Sequence, residues 1–123
     1  MNSKYFVGLF CGLLLLPGVS LGGAADVIAV KMIPQGAHRY DVSVTVRHAD
    51  SGWDHYANQW DLIDVEGNII ASRVLLHPHV DEQPFTRGLT GVVIPAHITR
   101  VIVRAHDLVH GYGGEEVSVD LAR

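Results

Sequence analysis

Alternation of apolar and polar residues with a period of two constrains this chain more than any other feature of its sequence. In "YDVSVTVRH", residues 40–48, apolar side chains at positions 40, 42, 44 and 46 share one face, and polar side chains at the odd positions share the other. Because successive side chains of a β-strand point to opposite faces, the pattern predicts a half-buried antiparallel strand. The segment "TRVIVRA", residues 99–105, repeats it with its valines and alanine facing inward.

From residue 26 onward no run has the 3.6-residue period of an amphipathic helix, and the alternation predicts seven strands. We predict them at residues 26–33, 39–48, 57–65, 69–76, 84–94, 98–106 and 115–121. Gly67 and Asn68 tolerate positive φ, so we expect a tight hairpin between the third and fourth strands. Glycines Gly88 and Gly91 predict a bulge or a close backbone approach in the fifth. The fold class is therefore all-β, an antiparallel β-sandwich.

A tryptophan in the third strand sharpens this prediction, because Trp60 shares inward parity with Leu62. The pattern resembles immunoglobulin-like and fibronectin-like sandwiches, whose core tryptophan occupies the equivalent strand. The resemblance is to members that have no disulfide between their sheets. It implies a core built around Trp60, Val42, Val44, Val101 and Val103, and it implies no function, since unrelated proteins share this architecture.

The first 25 residues have the organisation of an export signal. Lys4 precedes an apolar run from residue 5 to residue 16, Pro17-Gly18 interrupts it, and "SLGGAA" offers small residues for cleavage near Ala24 or Ala25. We predict a signal peptide at residues 1–25, a domain at residues 26–123, and a periplasmic or secreted location. The alternative is an uncleaved membrane anchor, because no charged residue occurs between residues 5 and 25.

Charge and cysteine usage exclude several classes of protein. The formal net charge is −4, and removal of Lys4 with the signal would make the domain more acidic, which excludes a nucleic-acid binder and predicts no membrane contact after signal cleavage. The single cysteine, Cys11, lies in the apolar run behind Phe10, where a lipoprotein signal requires a small residue. The predicted domain therefore has no thiolate, and any transition metal would be held by nitrogen and oxygen.

The chain has eight histidines, and strand order predicts that most of them meet. If the strands follow the immunoglobulin-like order A, B, C, C′, E, F and G, the B-C, C′-E and F-G loops lie at one end of the sandwich. Six histidines fall in or beside those loops: His48, His55, His77, His79, His106 and His110. His38 and His97 are predicted at the opposite end.

Imidazoles from different loops that converge in a thiol-free domain predict a site for copper or zinc. The candidate metal ligands are His48, His55, His77, His79, His110 and Asp54. His48 continues the inward parity of its strand, so we expect its ring to cap the core or face the sandwich mouth. His77 and His79 join the site together only if they do not alternate as strand residues do. Asp50, Asp54, Asp81 and Asp107 lie beside the histidines and could orient their rings or bind directly.

The same loops also allow an interaction module without metal, which would bind a periplasmic or extracellular protein or peptide. Its candidate binding surface consists of Trp53, Tyr56, His106 and Tyr112, although Trp53 and Tyr56 could equally pack the long B-C loop. We expect no enzyme, because Gly-x-Ser-x-Gly, His-Glu-x-x-His and a nucleophilic cysteine are all missing. Ser51 beside Asp50 and His48 suggests a catalytic triad, but neighbours in one loop rarely reach triad geometry.

Three sequence segments are similar to those of a small uncharacterised family of exported, histidine-rich bacterial proteins of similar length: "HADSGWDHYANQW", "RVLLHPHVDEQPFTR" and "HDLVHGYGG". The resemblance covers nearly the whole predicted domain. It implies export and implies no particular activity.

Overall fold

The computed structural model describes residues 23–122, which form seven β-strands and no helix. The strands are β1 (Asp26–Gly36), β2 (Arg39–Arg47), β3 (Ala57–Ile63), β4 (Ile69–Val74), β5 (Phe85–Val93), β6 (Arg100–Asp107) and β7 (Val117–Asp120). All seven match the predicted strands to within a few residues at each end. Among the described residues there is no helix that could cross a membrane. The predicted signal peptide lies almost wholly outside them and stays a prediction.

The strands form two antiparallel sheets, so the predicted sandwich is confirmed. One sheet has the order β1-β2-β5 and the other has the order β4-β3-β6-β7. Val42, Val44, Val101 and Val103 are all almost completely buried, as is Trp60, and these residues form one hydrophobic cluster between the sheets. The alternation in the sequence therefore reports the inner faces of β2 and β6 correctly.

Local turn chemistry explains the hairpin between β3 and β4. The Asp64 carboxylate accepts hydrogen bonds from the amides of Glu66 and Asn68, and Gly67 donates to the Asp64 carbonyl. Gly67 takes a positive φ of 92°, which completes a three-residue loop with a bulge, whereas Asn68 has no positive φ. The hairpin is as predicted, but glycine alone supplies the left-handed conformation.

The glycines of β5 also act as predicted. A Cβ on Gly88 would lie 2.6 Å from the carbonyl oxygen of Val42 on the neighbouring strand, so Gly88 permits a close backbone approach. Gly91 has a φ of 65° beside the register shift between β2 and β5. These two glycines let β5 complete the first sheet.

The strand connections divide the histidines between the two ends of the sandwich. His38 occupies the turn between β1 and β2, and its carbonyl accepts a hydrogen bond from Ile94 at the start of the β5–β6 connection. His97, in that same connection, lines a groove with residues 64–66 of the β3–β4 turn. The remaining six histidines lie in or beside the β2–β3, β4–β5 and β6–β7 connections, at the other end. The predicted separation is confirmed.

The segment before β1 is part of the packed domain. Ala25 is fully buried and belongs to the core cluster, and its carbonyl lies directly against Gly114. A Cβ on Gly114 would overlap that carbonyl oxygen. The "GYGG" sequence at residues 111–114, which resembles a flexible connection, therefore includes a glycine that close packing requires.

Replacing Gly114 should accordingly destabilise the domain. We expect Gly114→Ala to lower the free energy of unfolding by about 2 kcal/mol, because the new methyl group must displace backbone. The matched control is Gly113→Ala, whose Cβ would lie 3.4 Å from the Ala24 side chain, an ordinary contact. Urea denaturation followed by tryptophan fluorescence measures both, and equal stability of the two variants would contradict the close approach.

Candidate metal centre

Two inward-facing rows of side chains, one from each sheet, end in polar residues at the histidine end of the sandwich. On β2 the row of buried valines continues to His48, and on β6 the row of Val101, Val103 and Ala105 continues to Asp107. The side chains of His48 and Asp107 are both 0% exposed. Because the inner faces of the sheets oppose each other, His48 Nε2 and Asp107 Oδ2 lie only 3.8 Å apart.

Two further histidines from neighbouring connections complete the group. His55 Nε2 lies 3.2 Å from His48 Nε2 and 2.9 Å from Asp107 Oδ2. His110 Nδ1 lies 3.1 Å from the same Asp107 oxygen. The rings of His48 and His55 are nearly perpendicular, with centroids 4.7 Å apart, so their nitrogens meet without stacking. One ligand atom from each of the four residues lies within 4.8 Å of all the others.

These separations suit a single metal ion. A tetrahedral ion with bonds of 2.0–2.1 Å holds its ligand atoms about 3.3 Å apart. The pairs given above range from 2.9 Å to 3.8 Å, and the four atoms together lie within 4.8 Å of one another, so the side chains would have to draw closer to coordinate one ion. We call His48, His55, Asp107 and His110 the His3Asp cluster.

A buried carboxylate orients the most enclosed ligand. His48 Nδ1 donates a hydrogen bond of 2.5 Å to Asp50 Oδ1, which leaves the lone pair of Nε2 directed into the cluster. Asp50 also accepts from the amides of Ala57 and His79. A carboxylate behind a histidine in this way fixes the tautomer and strengthens the ring as a ligand. The prediction that Asp50 orients a neighbouring ring thus agrees with its position.

Hydrogen bonds around the carboxylate of Asp107 favour its ionised form. Burial by itself raises the pKa of Asp107, but hydrogen bonds from the backbone amides of His110 and Val109 and from the His110 ring outweigh it and hold the pKa below its usual value. Its second oxygen, Oδ1, is buried and has no hydrogen-bond partner. A buried acceptor without a partner is costly, but this oxygen is not the one that meets the three histidines, whose distances all run to Oδ2.

The cluster is closed on its inner side and partly open on its outer side. The side chains of His55 and His110 are 26% and 34% exposed, in contrast to the fully buried His48 and Asp107. A metal ion could therefore enter past His55 and His110. Such an arrangement also leaves room for an exchangeable ligand, as in sites that keep one position open.

The structure brings together three of the predicted ligands and leaves three apart. His48, His55 and His110 meet in the cluster, whereas His77, His79 and Asp54 are not members of this group. His79 stacks on Phe85 with ring centroids 4.0 Å apart and accepts a hydrogen bond from Arg87. Burial and the adjacent Arg87 charge lower the pKa of His79, which favours its neutral form.

His77 and Asp54 both lie on the surface. The His77 ring is 4.6 Å from that of His79 and bonds the Pro78 carbonyl, so the two rings approach each other although neither joins the cluster. The β4–β5 connection instead contributes to the cluster through its backbone, since the His79 amide binds Asp50. Stacking on Phe85 is the physical reason that His79 faces away.

The predicted aromatic surface is divided between two environments. Trp53 is 65% exposed and packs edge-on against Tyr56, with centroids 5.6 Å apart, in the β2–β3 connection that also carries His55. His106 and Tyr112 lie on the outer face of the second sheet, where the His106 ring bonds Asn58 and contacts Tyr112 edge-on. The outward parity of His106 correctly indicates that it lies outside the cluster.

A buried carboxylate anchors the connection that carries His110. The Tyr112 hydroxyl donates to Asp61, and the Arg104 guanidinium covers the Tyr112 ring at 4.0 Å while also donating to Asp61. Burial raises the pKa of Asp61, but hydrogen bonds from Ser72, Tyr112, Gln59 and Arg104 outweigh it and lower the pKa below its usual value. Burial together with the Asp61 hydrogen bond raises the pKa of Tyr112, which keeps the hydroxyl protonated as a donor.

Asp107 is the one cluster residue that was not among the six candidate ligands, although it was noted as a carboxylate beside the histidines. Its signal in the sequence is parity, because Asp107 continues the inward row of residues 101, 103 and 105. The structure also explains why Ser51, Asp50 and His48 suggest a catalytic triad in the sequence. Asp50 does bond His48, but the other ring nitrogen faces His55 and Asp107 within the cluster.

Comparison with known proteins adds one relative. The chain is 41% identical over 96 residues to a protein of Halomicrobium mukohataei named "Putative lipoprotein". The match includes 78% of this chain and 47% of the relative, so the chain spans about half the length of the curated relative that it matches. The prediction that relatives have a similar length is wrong for this relative, because the match includes only 47% of it. No family model matches, and no solved structure matches, so the immunoglobulin-like class stays a prediction.

The hydrogen bonds to Asp61 predict a pH-dependent contribution to stability. A carboxylate whose pKa is lowered in the folded state stabilises the fold above its unfolded pKa of about 3.9, and this contribution is lost as the pH falls through the folded value. We therefore expect Asp61→Asn to destabilise the domain at pH 7 and the difference from wild type to shrink between about pH 5 and pH 2.

Denaturant titrations at several pH values test this expectation. The control is Asp120→Asn, which removes only an exposed ion pair with Arg100 and should change stability by less than about 1 kcal/mol. An Asp61→Asn deficit that is the same at pH 3 as at pH 7 would show that the ionised carboxylate is not the stabilising group.

Proposed function

We propose that this protein is an exported metal-binding module that holds copper or zinc in the His3Asp cluster. The observation that carries the proposal is the convergence of three imidazole nitrogens and one carboxylate oxygen within 4.8 Å of one another. The hydrogen bond from His48 Nδ1 to Asp50, which directs Nε2 into the cluster, supports it further. Export is supported by the predicted signal peptide and by the name of the relative, "Putative lipoprotein".

The donor set favours particular metals. Three imidazoles and one carboxylate suit zinc and copper, whereas calcium and magnesium prefer sites made of oxygen. Between the two, copper(II) should bind more tightly according to the general order of divalent affinities. Without a thiolate or thioether in the cluster, copper(I) has no soft ligand, so the oxidised ion is the expected form.

The half-open cluster suits a role in storage, delivery or sensing of the metal. His48 and Asp107 form the buried inner side of the cluster, and His55 and His110 form its accessible outer side. An ion held between these residues can leave past His55 and His110 when a competing ligand arrives. Exchange with a periplasmic or extracellular partner is therefore compatible with this geometry.

Substitution of the two histidines on the outer side tests the proposal directly. We expect His55→Ala and His110→Ala each to weaken copper(II) and zinc binding by at least about tenfold, or about 1.4 kcal/mol, because each removes one nitrogen ligand. His77→Ala is the matched control, an exposed histidine at the same end of the sandwich. It should change the affinity by less than about twofold, within the usual range of a surface substitution.

Calorimetry on untagged protein gives these affinities, and circular dichroism confirms that each variant is folded. Wild-type binding no tighter than about 0.1 mM, or equal losses in His77→Ala and His55→Ala, would contradict the site.

Binding should also weaken as the solution becomes acidic. Each ligand histidine must lose its proton to coordinate, and free imidazole titrates near pH 6.5, so affinity should fall between about pH 7 and pH 5. Zinc titrations across this range test the expectation in a buffer that does not bind metal. Affinity independent of pH would exclude imidazole ligands.

An interaction module remains a second proposal, because exposed apolar side chains surround the same end. Trp53, Leu108 and Val109 are 65%, 46% and 59% exposed in the β2–β3 and β6–β7 connections. A protein or peptide partner would bury this surface, and its binding would be independent of metal. Loss of partner binding in Trp53→Ala, with metal binding retained, would support this second function.

A further inference from the structure

Gly23 is the first residue that the structure describes, and its exposure differs from that of the residues after it. Gly23 is exposed, whereas Ala24, Ala25 and Asp26 are only 7%, 0% and 4% exposed. Ala25 belongs to the hydrophobic core cluster, as the valines of β1 do. The predicted cleavage after Ala25 would therefore remove part of the core.

The β6–β7 connection is shaped around these residues. Glu115 donates its amide to the Asp26 carboxylate and accepts a hydrogen bond from the amide of Val27. Gly114 lacks a side chain where the Ala25 carbonyl lies, and Gly113 lies against the Ala24 methyl group. Without Ala24 and Ala25 this glycine-lined surface would face water with nothing packed on it.

The charge of a new chain terminus also favours a cleavage site before residue 24. Signal cleavage creates an ammonium group, and burying an unpaired charge is costly. Cleavage after Gly23, Ala24 or Ala25 would place that charge on a buried residue, whereas cleavage after Gly22 would place it on exposed Gly23. Ser20 and Gly22 are small residues at the two positions that signal peptidase requires to be small.

A terminus at Gly23 would lie beside the metal centre. A Cβ built on Gly23 would be 3.2 Å from Cε1 and 3.8 Å from Nδ1 of the His110 ring. The backbone nitrogen of a residue lies only about 2.5 Å from its Cβ position, so this nitrogen is at most about 6.3 Å from His110 Nδ1. Cleavage after Gly22 would free this nitrogen from its peptide bond, so rotation about the Cα–C bond of Gly23 could carry it toward the cluster.

We propose that the mature chain begins at Gly23 and that its α-amino nitrogen joins His48, His55, His110 and Asp107 as a ligand of the metal ion. The proposal rests on the metal-binding function proposed above and on the predicted signal peptide. It assigns a role to Gly23, because a Cβ there would lie 3.2 Å from the His110 ring and would crowd it. Nitrogen and oxygen donors of this kind suit copper(II) in tetragonal geometry.

The first test is the mass of the exported protein. The full-length chain is expressed in a bacterium that exports it, and the processed form is analysed intact by mass spectrometry. A chain that starts at Gly23 is expected. A start at Asp26, or recovery of the unprocessed chain, would overturn the proposal.

The second test blocks the α-amine without changing the chain. Lys31 is the only lysine after residue 4, so Lys31→Arg leaves the terminal amine as the sole primary amine in a protein that starts at Gly23. Residues 23–123 contain every described strand and the whole core cluster, and circular dichroism before and after acetylation checks that the protein is folded. Acetic anhydride then acetylates the terminus, and hydroxylamine removes labile adducts from other side chains.

Copper(II) affinity is compared before and after acetylation. We expect acetylation to weaken binding by at least tenfold, or about 1.4 kcal/mol, and bound copper to protect the amine from acetylation. Equal affinity of the two forms would overturn the amine as a ligand while leaving the His3Asp cluster intact. Failure of both forms to bind would instead overturn the proposed function itself, together with this inference.

Discussion

Burial of one face of each sheet against the other is the constraint on which the whole structure depends. Trp60 and the valines of β2 and β6 exclude water between the sheets, and this burial decides which way every second side chain points. The same periodicity continues beyond the apolar residues to His48 and Asp107. These two polar side chains are therefore inside the sandwich because the strands that carry them cannot rotate without exposing the core.

Placing polar groups at the end of a core has a cost that the structure largely offsets with hydrogen bonds. Asp50 satisfies His48 and two backbone amides, and backbone amides from the β6–β7 connection satisfy one oxygen of Asp107. The other Asp107 oxygen is left without a partner. The hydrogen bonds to Asp50 and to Asp107 Oδ2 therefore offset most of the cost of burying these groups, although Asp107 Oδ1 and the nearby His79 Nδ1 have no partner.

The two ends of the sandwich show why the loops matter more than the histidine count. His38 and His97 lie at the far end in separate connections, and neither joins the cluster. At the near end, the carboxylates of Asp61 and Asp107 hold the β6–β7 connection through Tyr112 and the amide of His110. The packing of residues 24–26 against residues 113–115 supports the same connection from its other side. His110 is thus positioned by contacts from three different parts of the chain.

The sequence by itself determined the seven strands, the inward faces, the core around Trp60 and the end at which six histidines gather, because alternation and turn residues are local signals. It identified His48, His55 and His110 as candidate ligands but could not separate them from His77, His79 and Asp54, which are residues of the same kinds in loops at the same end. Only the tertiary structure decided that His79 stacks on Phe85 and that Asp107 meets His48 across the two sheets. Those contacts join residues far apart in sequence, and their distances depend on how the sheets pack, which no local pattern encodes.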